Sequence, residues 1–295
     1  MEKILFKVLR LLISKIRFYN TDLLRKLYKL YFKNNNEINE FSKSQLQPDG
    51  FYIVSKNDLH DLKSDFDLIG LAAEDVINKK KNNIGTKEYL QNILRENDEN
   101  NIKVFLNFFL NKKFLSIVKS HLNELPLLTE LKVLYSPSNI SNEHIGSQLF
   151  HRDFDDTKIV KIFVNLVDVD LNTGPLEIIK LEKSNSIKKK INKNYGLHSD
   201  IIDKFIDNKK DKYIFVGKKF DCLFVDTSSC YHRGSRKSLN DRYVLYANFS
   251  SRSSFRFPPI FLNSNSSEIK NYHSPMGKYA KLVDADKIKY IRNFK

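Results

Sequence analysis

The hydrophobic periodicity of this chain changes at Pro126, and that change constrains the fold more than any other feature. Before it, apolar residues recur at helical spacing in "AAEDVINKKK", "TKEYLQNILREN" and "IKVFLNFFLNKKFLSIVKSHL". After it come "TELKVLYSP", "KIVKIFVNLVDV", "PLEIIKLE", "KYIFVG", "DCLFVDTSS" and "RYVLYANFS". These are short, β-branched and aromatic, and are separated by Gly, Pro, Asn, Asp or Ser turns. No strand is followed by a helix long enough for a regular βαβ unit. The lysine-rich piece "NSIKKKINKNYGLHSDIIDKFIDNKKD" reads as an insertion between two strands. Helices first and strands afterwards predict an α+β, mainly β fold: an antiparallel sandwich or barrel capped by helices, not a doubly wound sheet. The expected organisation is a single domain over 1–295, with a mainly helical region 1–124, a β core 125–250 and a C-terminal extension 251–295.

Composition narrows the partners. The net charge is +15, which suits an anionic partner such as a nucleic acid, a lipid surface or a phosphorylated substrate. The excess is spread in runs such as Lys79–Lys81 and Lys188–Lys190 among Asn and Ser, which is the pattern of solvated loops. With no zinc-finger spacing, recognition-helix pattern or ribonucleoprotein motif, no nucleic acid is expected. The expected partner is a small molecule. Cys222 and Cys230 make neither a disulfide framework nor a thiolate zinc site, and read as reduced, packed thiols of a cytoplasmic protein.

The first residues, "MEKILFKVLRLLISKIRFYN", hold neither a spanning segment nor a signal-peptide core, since Lys7, Arg10 and Lys15 interrupt the apolar run. Ile4, Leu5, Val8, Leu9, Leu12 and Ile16 follow helical spacing with basic residues opposite. Two readings stand: a helix packed on the fold, or a basic amphipathic helix giving peripheral contact with an anionic membrane.

The chemistry concentrates in "QLFHRDFDD". On a strand, residues i and i+2 point the same way, so His151 and Asp153 project together and Arg152 lies opposite. A third ligand must come from elsewhere, and His232, just beyond an apolar strand in "FVDTSSCYHRGS", is the candidate. Two imidazoles and one carboxylate leave three positions open on a metal, the arrangement used by non-haem Fe(II) oxygenases. A second His-x-Asp, His198 and Asp200, falls at a predicted helix start where Ser199 or Asp200 would serve as N-cap, and reads as structural. His60, His121, His144 and His273 have no evident partners and read as surface residues.

The stretches "SQLFHRDFDDTKIVKIFVNLVDVDLNTGPLEII" and "GKKFDCLFVDTSSCYHRGSRKSLNDRYVLYANF" together resemble the phytanoyl-CoA dioxygenase family of Fe(II)/2-oxoglutarate oxygenases. The resemblance rests on the order of a Gln before His-x-Asp, a Lys in the next strand, Asn-x-Gly-Pro-Leu, Asp-Thr-x-x-Cys-x-His-Arg-Gly and an Arg opening the last strand. It covers residues 125–250 and implies a double-stranded β-helix, the jelly-roll-like barrel of that family. It implies that His151, Asp153 and His232 bind Fe(II), and that Arg242 grips the distal carboxylate of 2-oxoglutarate with a planar guanidinium. Lys161 and Gln148 are the candidates for further cosubstrate contacts, against readings as an outer-face lysine and a lone polar residue. Arg233 and Arg236 are the candidates for meeting an anionic substrate, against a reading as solvated loop. Asp153 stands where related halogenases have a small residue, so the expected reaction is hydroxylation with O2, with decarboxylation of 2-oxoglutarate to succinate.

The chain departs from the family at "KLEKSNS", where many members have Pro-Gly-Ser-His, and its helical N-terminal region matches no substrate domain of the family. Two rival readings remain. One is a non-catalytic jelly-roll module whose basic surface holds a membrane or acidic partner. The other is a cupin-like metal-dependent isomerase or hydrolase, which would carry more His and Glu ligands than this chain supplies.

Overall fold

The computed structural model describes residues 43–79, 88–95, 97–123, 126–153, 156–191, 196–207, 210–251, 270–273 and 279–282. The amphipathic N-terminal stretch, the lysines after Lys79 and most of the C-terminal extension lie outside them. Among the described residues eleven strands run in chain order: β1 (Phe51–Val54), β2 (Gln91–Asn92), β3 (Pro126–Ser136), β4 (Ile159–Asn165), β5 (Leu176–Ile179), β6 (Lys212–Phe215), β7 (Cys222–Val225), β8 (His232–Arg233), β9 (Arg242–Ser251), β10 (Lys270–His273) and β11 (Tyr279–Leu282). The α-helices are α1 (Lys63–Asn78), α2 (Glu99–Phe109), α3 (Lys112–Leu122), α4 (Leu181–Ile191) and α5 (Ser199–Asp203).

Six strands form one antiparallel sheet in the order β1-β7-β4-β9-β3-β2, and three form a second in the order β6-β5-β8. Alternation decides what each face meets. Leu131 and Val133 of β3, Val160, Ile162 and Val164 of β4, and Leu245, Ala247 and Phe249 of β9 all turn to one side. There they join Phe66, Phe105, Phe108 and Phe114 of the helices in one buried cluster. Phe114 bridges the layers edge-on, 4.9 Å from Phe108 and 5.2 Å from Phe224 of β7 between ring centroids. The opposite face of the large sheet looks onto the small one, where Leu176, Ile178 and Phe215 pack against Leu223, Val225 and Phe163. Beyond the small sheet, Ile187 of α4 and Ile202 of α5 cover Phe150, Ile179 and Tyr231. The lysine-rich insertion thus closes the outer face of the small sheet, and "KLEKSNS" becomes the first turns of α4.

Helices and strands fall largely where the periodicity places them, with three corrections. The helix expected over 86–97 is not formed at its centre, where β2 pairs Gln91 with Tyr135 and Asn92 with Leu134. Tertiary contacts override local propensity there: Ile93 N donates to Val133 O and Tyr89 is buried. Phe51–Val54 forms an edge strand on β7 that the sequence does not announce. Ser199 opens α5 as its first helical residue, so neither it nor Asp200 is the cap; His198 takes that place without a side-chain cap bond. The long apolar stretch before Pro126 divides at Asn111, whose side chain caps α3 by accepting from Lys113 N at 2.8 Å. Among the described residues no helix is long and apolar enough to cross a membrane.

Candidate metal centre and its cavity

His151 sits directly opposite His232 at the edge of the small sheet. The two exchange backbone hydrogen bonds, His151 N to His232 O at 3.1 Å and His232 N to His151 O at 2.9 Å. Cross-strand pairing therefore brings together two imidazoles far apart in sequence, with ring centroids 4.2 Å apart. Asp153, two residues beyond His151, adds its carboxylate to the same side. One ligand atom from each of the three residues lies within 4.8 Å of the other two.

The imidazoles are held by carbonyls. His151 Nδ1 lies 2.9 Å from Leu149 O and His232 Nδ1 lies 3.2 Å from Cys230 O. Each Nδ1 donates, which fixes the tautomer and leaves Nε2 with the lone pair that ligates a metal. Burial, reinforced by His151, pulls His232 down to about 3, so its imidazole is neutral at ordinary pH. Burial pushes Asp153 the other way, but Lys161, His232 and His151 together hold it well below the usual carboxylate range. The Lys161 ammonium is its counter-ion at 2.5 Å, and His232 Nε2 lies 3.7 Å from the same oxygen. The neutral imidazole of His232, the imidazole of His151 and an ionised carboxylate, positioned by outer hydrogen bonds, fit a divalent cation and leave coordination positions facing the interior.

Those positions open onto a cavity of about 260 Å³ between the two sheets. Its floor is built from rows running across β3, β9 and β4. Glu130, Asn248 and Lys161 form the first row; Lys132, Tyr246 and Phe163 the second; Leu134 and Val244 belong to the third; Ser136 and Arg242 form the last. Charged groups thus stand at both ends, and Leu134, Val244 and Leu176 make an apolar waist between them.

Arg242 is 7% exposed and has no carboxylate partner among the described residues. Its Nη2 donates to Ser235 Oγ at 3.0 Å and reaches Ser136 Oγ at 3.4 Å, while Nε has no partner. Burial alone lowers it to about 10, so it is a cation at neutral pH without a counter-ion. Ser235 itself has a left-handed backbone, φ 53°, a conformation that costs energy in any residue but glycine and recurs at ligand sites.

Neither a family model nor a curated protein matches the sequence. Solved structures do match. EctD from S. alaskensis with bound Fe aligns with TM-score 0.52 at 12% identity, over 70% of this chain and 75% of EctD. EctD with 2-oxoglutarate and 5-hydroxyectoine aligns with TM-score 0.51 at 11% identity, over 70% and 74%. The epimerase SnoN, in complex with Fe3+, alpha ketoglutarate and nogalamycin RO, aligns with TM-score 0.53 at 12% identity, over 82% and 94%. The likeness is one of fold.

The remaining candidate residues fall in three places. Lys161 and Arg242 line the cavity with the three ligand residues. Gln148 is buried beside it but has both ends of its amide engaged, donating to Ser235 O at 2.6 Å and accepting from Ile145 N at 3.1 Å. Arg233 pairs across the small sheet with Glu177, on the face opposite to His232. Its guanidinium binds Glu177 at 2.8 Å and stacks 4.0 Å from the centroid of Phe150, while Arg236 donates to Ser199 Oγ at 2.9 Å. Neither arginine is among the residues lining the cavity.

Sequence reasoning missed the wall of Glu130, Lys132 and Tyr246, where Tyr246 OH donates to Glu130 at 2.7 Å and Lys132 pairs with Glu130 at 3.1 Å. Their signal was there: polar residues at alternate positions of strands whose other positions are apolar. His121, read as a surface residue, is 4% exposed and binds Asp226 at 2.9 Å.

Proposed function

We propose that the protein is an Fe(II)- and 2-oxoglutarate-dependent dioxygenase on a double-stranded β-helix, akin to the phytanoyl-CoA dioxygenase family, that hydroxylates a small molecule or a carrier- or sugar-linked metabolite. One observation carries the reading: a His-Asp-His cluster and a buried guanidinium that has no counter-ion among the described residues face the same cavity across an apolar waist. That cavity suits a short aliphatic dicarboxylate whose one end chelates a metal. Iron and 2-oxoglutarate, as found in EctD and SnoN, fit those requirements.

In this reading His151, Asp153 and His232 hold the iron. Arg242 takes the distal carboxylate of 2-oxoglutarate as a charge-assisted pair, with Ser235 and Ser136 orienting the guanidinium. Leu134, Val244 and Leu176 exclude water along the methylene chain. Lys161, beside Asp153, balances negative charge at the metal end. When bound, the metal and 2-oxoglutarate would supply O2-dependent chemistry: one oxygen atom goes into succinate as carbon dioxide leaves, and the other into a substrate C–H bond as a hydroxyl. The chain's net charge of +15 favours an anionic substrate, its two packed thiols favour the cytoplasm, and its basic N-terminal stretch favours at most a peripheral contact with a membrane.

The test is anaerobic absorbance of metal-free protein on adding Fe(II) and then 2-oxoglutarate, beside the His151→Ala variant. A visible charge-transfer band requiring both additions and absent from the variant is the expected result. No band from folded wild-type protein with confirmed iron uptake would mean that 2-oxoglutarate does not chelate there.

A further inference from the structure

The turn over residues 226–230, between β7 and β8, is organised by one buried carboxylate. Asp226 is 2% exposed, and its Oδ1 accepts from Ser228 N at 3.1 Å, Ser229 N at 3.2 Å and Ser228 Oγ at 2.6 Å. Its Oδ2 accepts from Ser229 Oγ at 2.8 Å and His121 Nε2 at 2.9 Å. The backbone closes on the same residue, with Cys230 N donating to Asp226 O at 2.9 Å and Asp226 N to Gly50 O at 3.0 Å. An ionised group this deep persists only because donors surround it, and those donors fix its geometry.

What this turn presents outward is a set of carbonyls directed at the metal site. Thr227 O accepts from Asp153 N at 2.8 Å, Ser228 O from Arg152 Nη1 at 3.3 Å, and Cys230 O is the partner of His232 Nδ1 at 3.2 Å. Two of the three ligand residues therefore take their placement from one turn. His121 ties that turn to the helical layer: it projects from α3, its Nδ1 lies 3.0 Å from Ser44 Oγ, and its carbonyl accepts from Lys158 Nζ at 3.4 Å.

We infer that His121 and Asp226 are positioning residues of the metal centre, holding the 226–230 turn so that its carbonyls set Asp153 and orient the imidazole of His232. The inference rests on the reading of His151, Asp153 and His232 as metal ligands. Neither residue touches the cavity. They act through the backbone, which explains why a helix of the N-terminal layer contributes a buried histidine to a site built on strands. Loss of such outer partners weakens metal binding by about 10- to 100-fold.

The experiment is a Co(II) titration followed by absorbance, with thermal melts alongside, on wild type, Asp226→Asn, Ser229→Ala, His121→Leu and His121→Gln. Co(II) uptake needs neither cosubstrate nor turnover. Asp226→Asn and His121→Leu are expected to bind Co(II) about 10- to 100-fold more weakly with an altered ligand-field spectrum. His121→Gln keeps a donor for Asp226 and should recover most of the affinity. If Asp226→Asn does not fold, His121→Leu and Ser229→Ala carry the comparison. Wild-type affinity and spectrum in the folded variants, with only their melting lowered, would reduce the pair to a fold-stabilising role and overturn the inference. Wild-type protein that takes up no Co(II) would instead overturn the metal reading itself, and this inference with it.

Discussion

Replacing Arg242 by methionine separates what the guanidinium does for a ligand from what it does for the fold. Burial lowers this arginine from its ordinary 12.5 to about 10. At about 1.4 kcal/mol per tenfold, the fold bears about 3 kcal/mol for keeping it charged. The variant loses one good hydrogen bond to Ser235, worth about 1.5 kcal/mol for a charged donor. Ser235 and Ser136 keep each other, with hydroxyls 2.8 Å apart, so no polar group is stranded. A methionine side chain would rest on the apolar waist of Leu176 and Val244. The metal-free variant should therefore be about 1 to 2 kcal/mol more stable than wild type, or about 2 to 4 °C in Tm. The same change should weaken 2-oxoglutarate binding by about 3 kcal/mol, on the order of 100-fold, because a buried carboxylate loses the cation that faces it at that end. Thermal melts of the metal-free proteins read the first effect, and melts with Mn(II), with and without 2-oxoglutarate, read the second. A variant that melts well below wild type, or that keeps the full cosubstrate-induced shift, would refute the assignment of Arg242 as an unpaired anchor.

Two further substitutions probe the frame. Glu177 accepts from Arg233 and Lys212 at 2.8 Å each; burial opposes its charge, but Arg233 and Lys212 hold it below the ordinary 4.5. Glu177→Gln should cost about 2 to 3 kcal/mol at pH 7. Because the folded carboxyl is depressed, that contribution is present above the unfolded value and is lost as pH falls through the folded one. Urea melts of both proteins should thus differ at pH 6–8 and converge below about pH 4.5; a gap independent of pH would mean that charge is not the cause. Gly50 has φ 86°, and a Cβ there would stand 2.3 Å from Cys230 Sγ. Gly50→Ala should cost at least about 2 kcal/mol in chemical denaturation. Since Cys230 O orients His232, it should also weaken Co(II) binding; unchanged affinity would show that Cys230 moves without its carbonyl.

Local order and spacing along the chain already contained the change from helices to strands at Pro126, the shared side of His151 and Asp153, and Arg242 at the head of a strand. These are short-range facts, set by side-chain periodicity within one element. The sequence could not say that His232 would face His151, because cross-strand pairing depends on register between distant segments. For the same reason it could not say which of His232 and Arg233 would face the cavity. Adjacent on one strand, they face opposite sides of the small sheet, and only the pairing of Arg233 with Glu177 decides that the arginine turns away from the cavity. Residues 86–97 carry helical spacing, yet a β-bridge to β3 and a buried Tyr89 outweigh a local preference worth only tenths of a kcal/mol per residue. His121 looked solitary because its partner lies in another layer; a buried carboxylate and its donor find each other only once helices have packed on the sheet. Periodicity thus determined the elements and which residues could act together within each, while long-range packing decided which of them share a site.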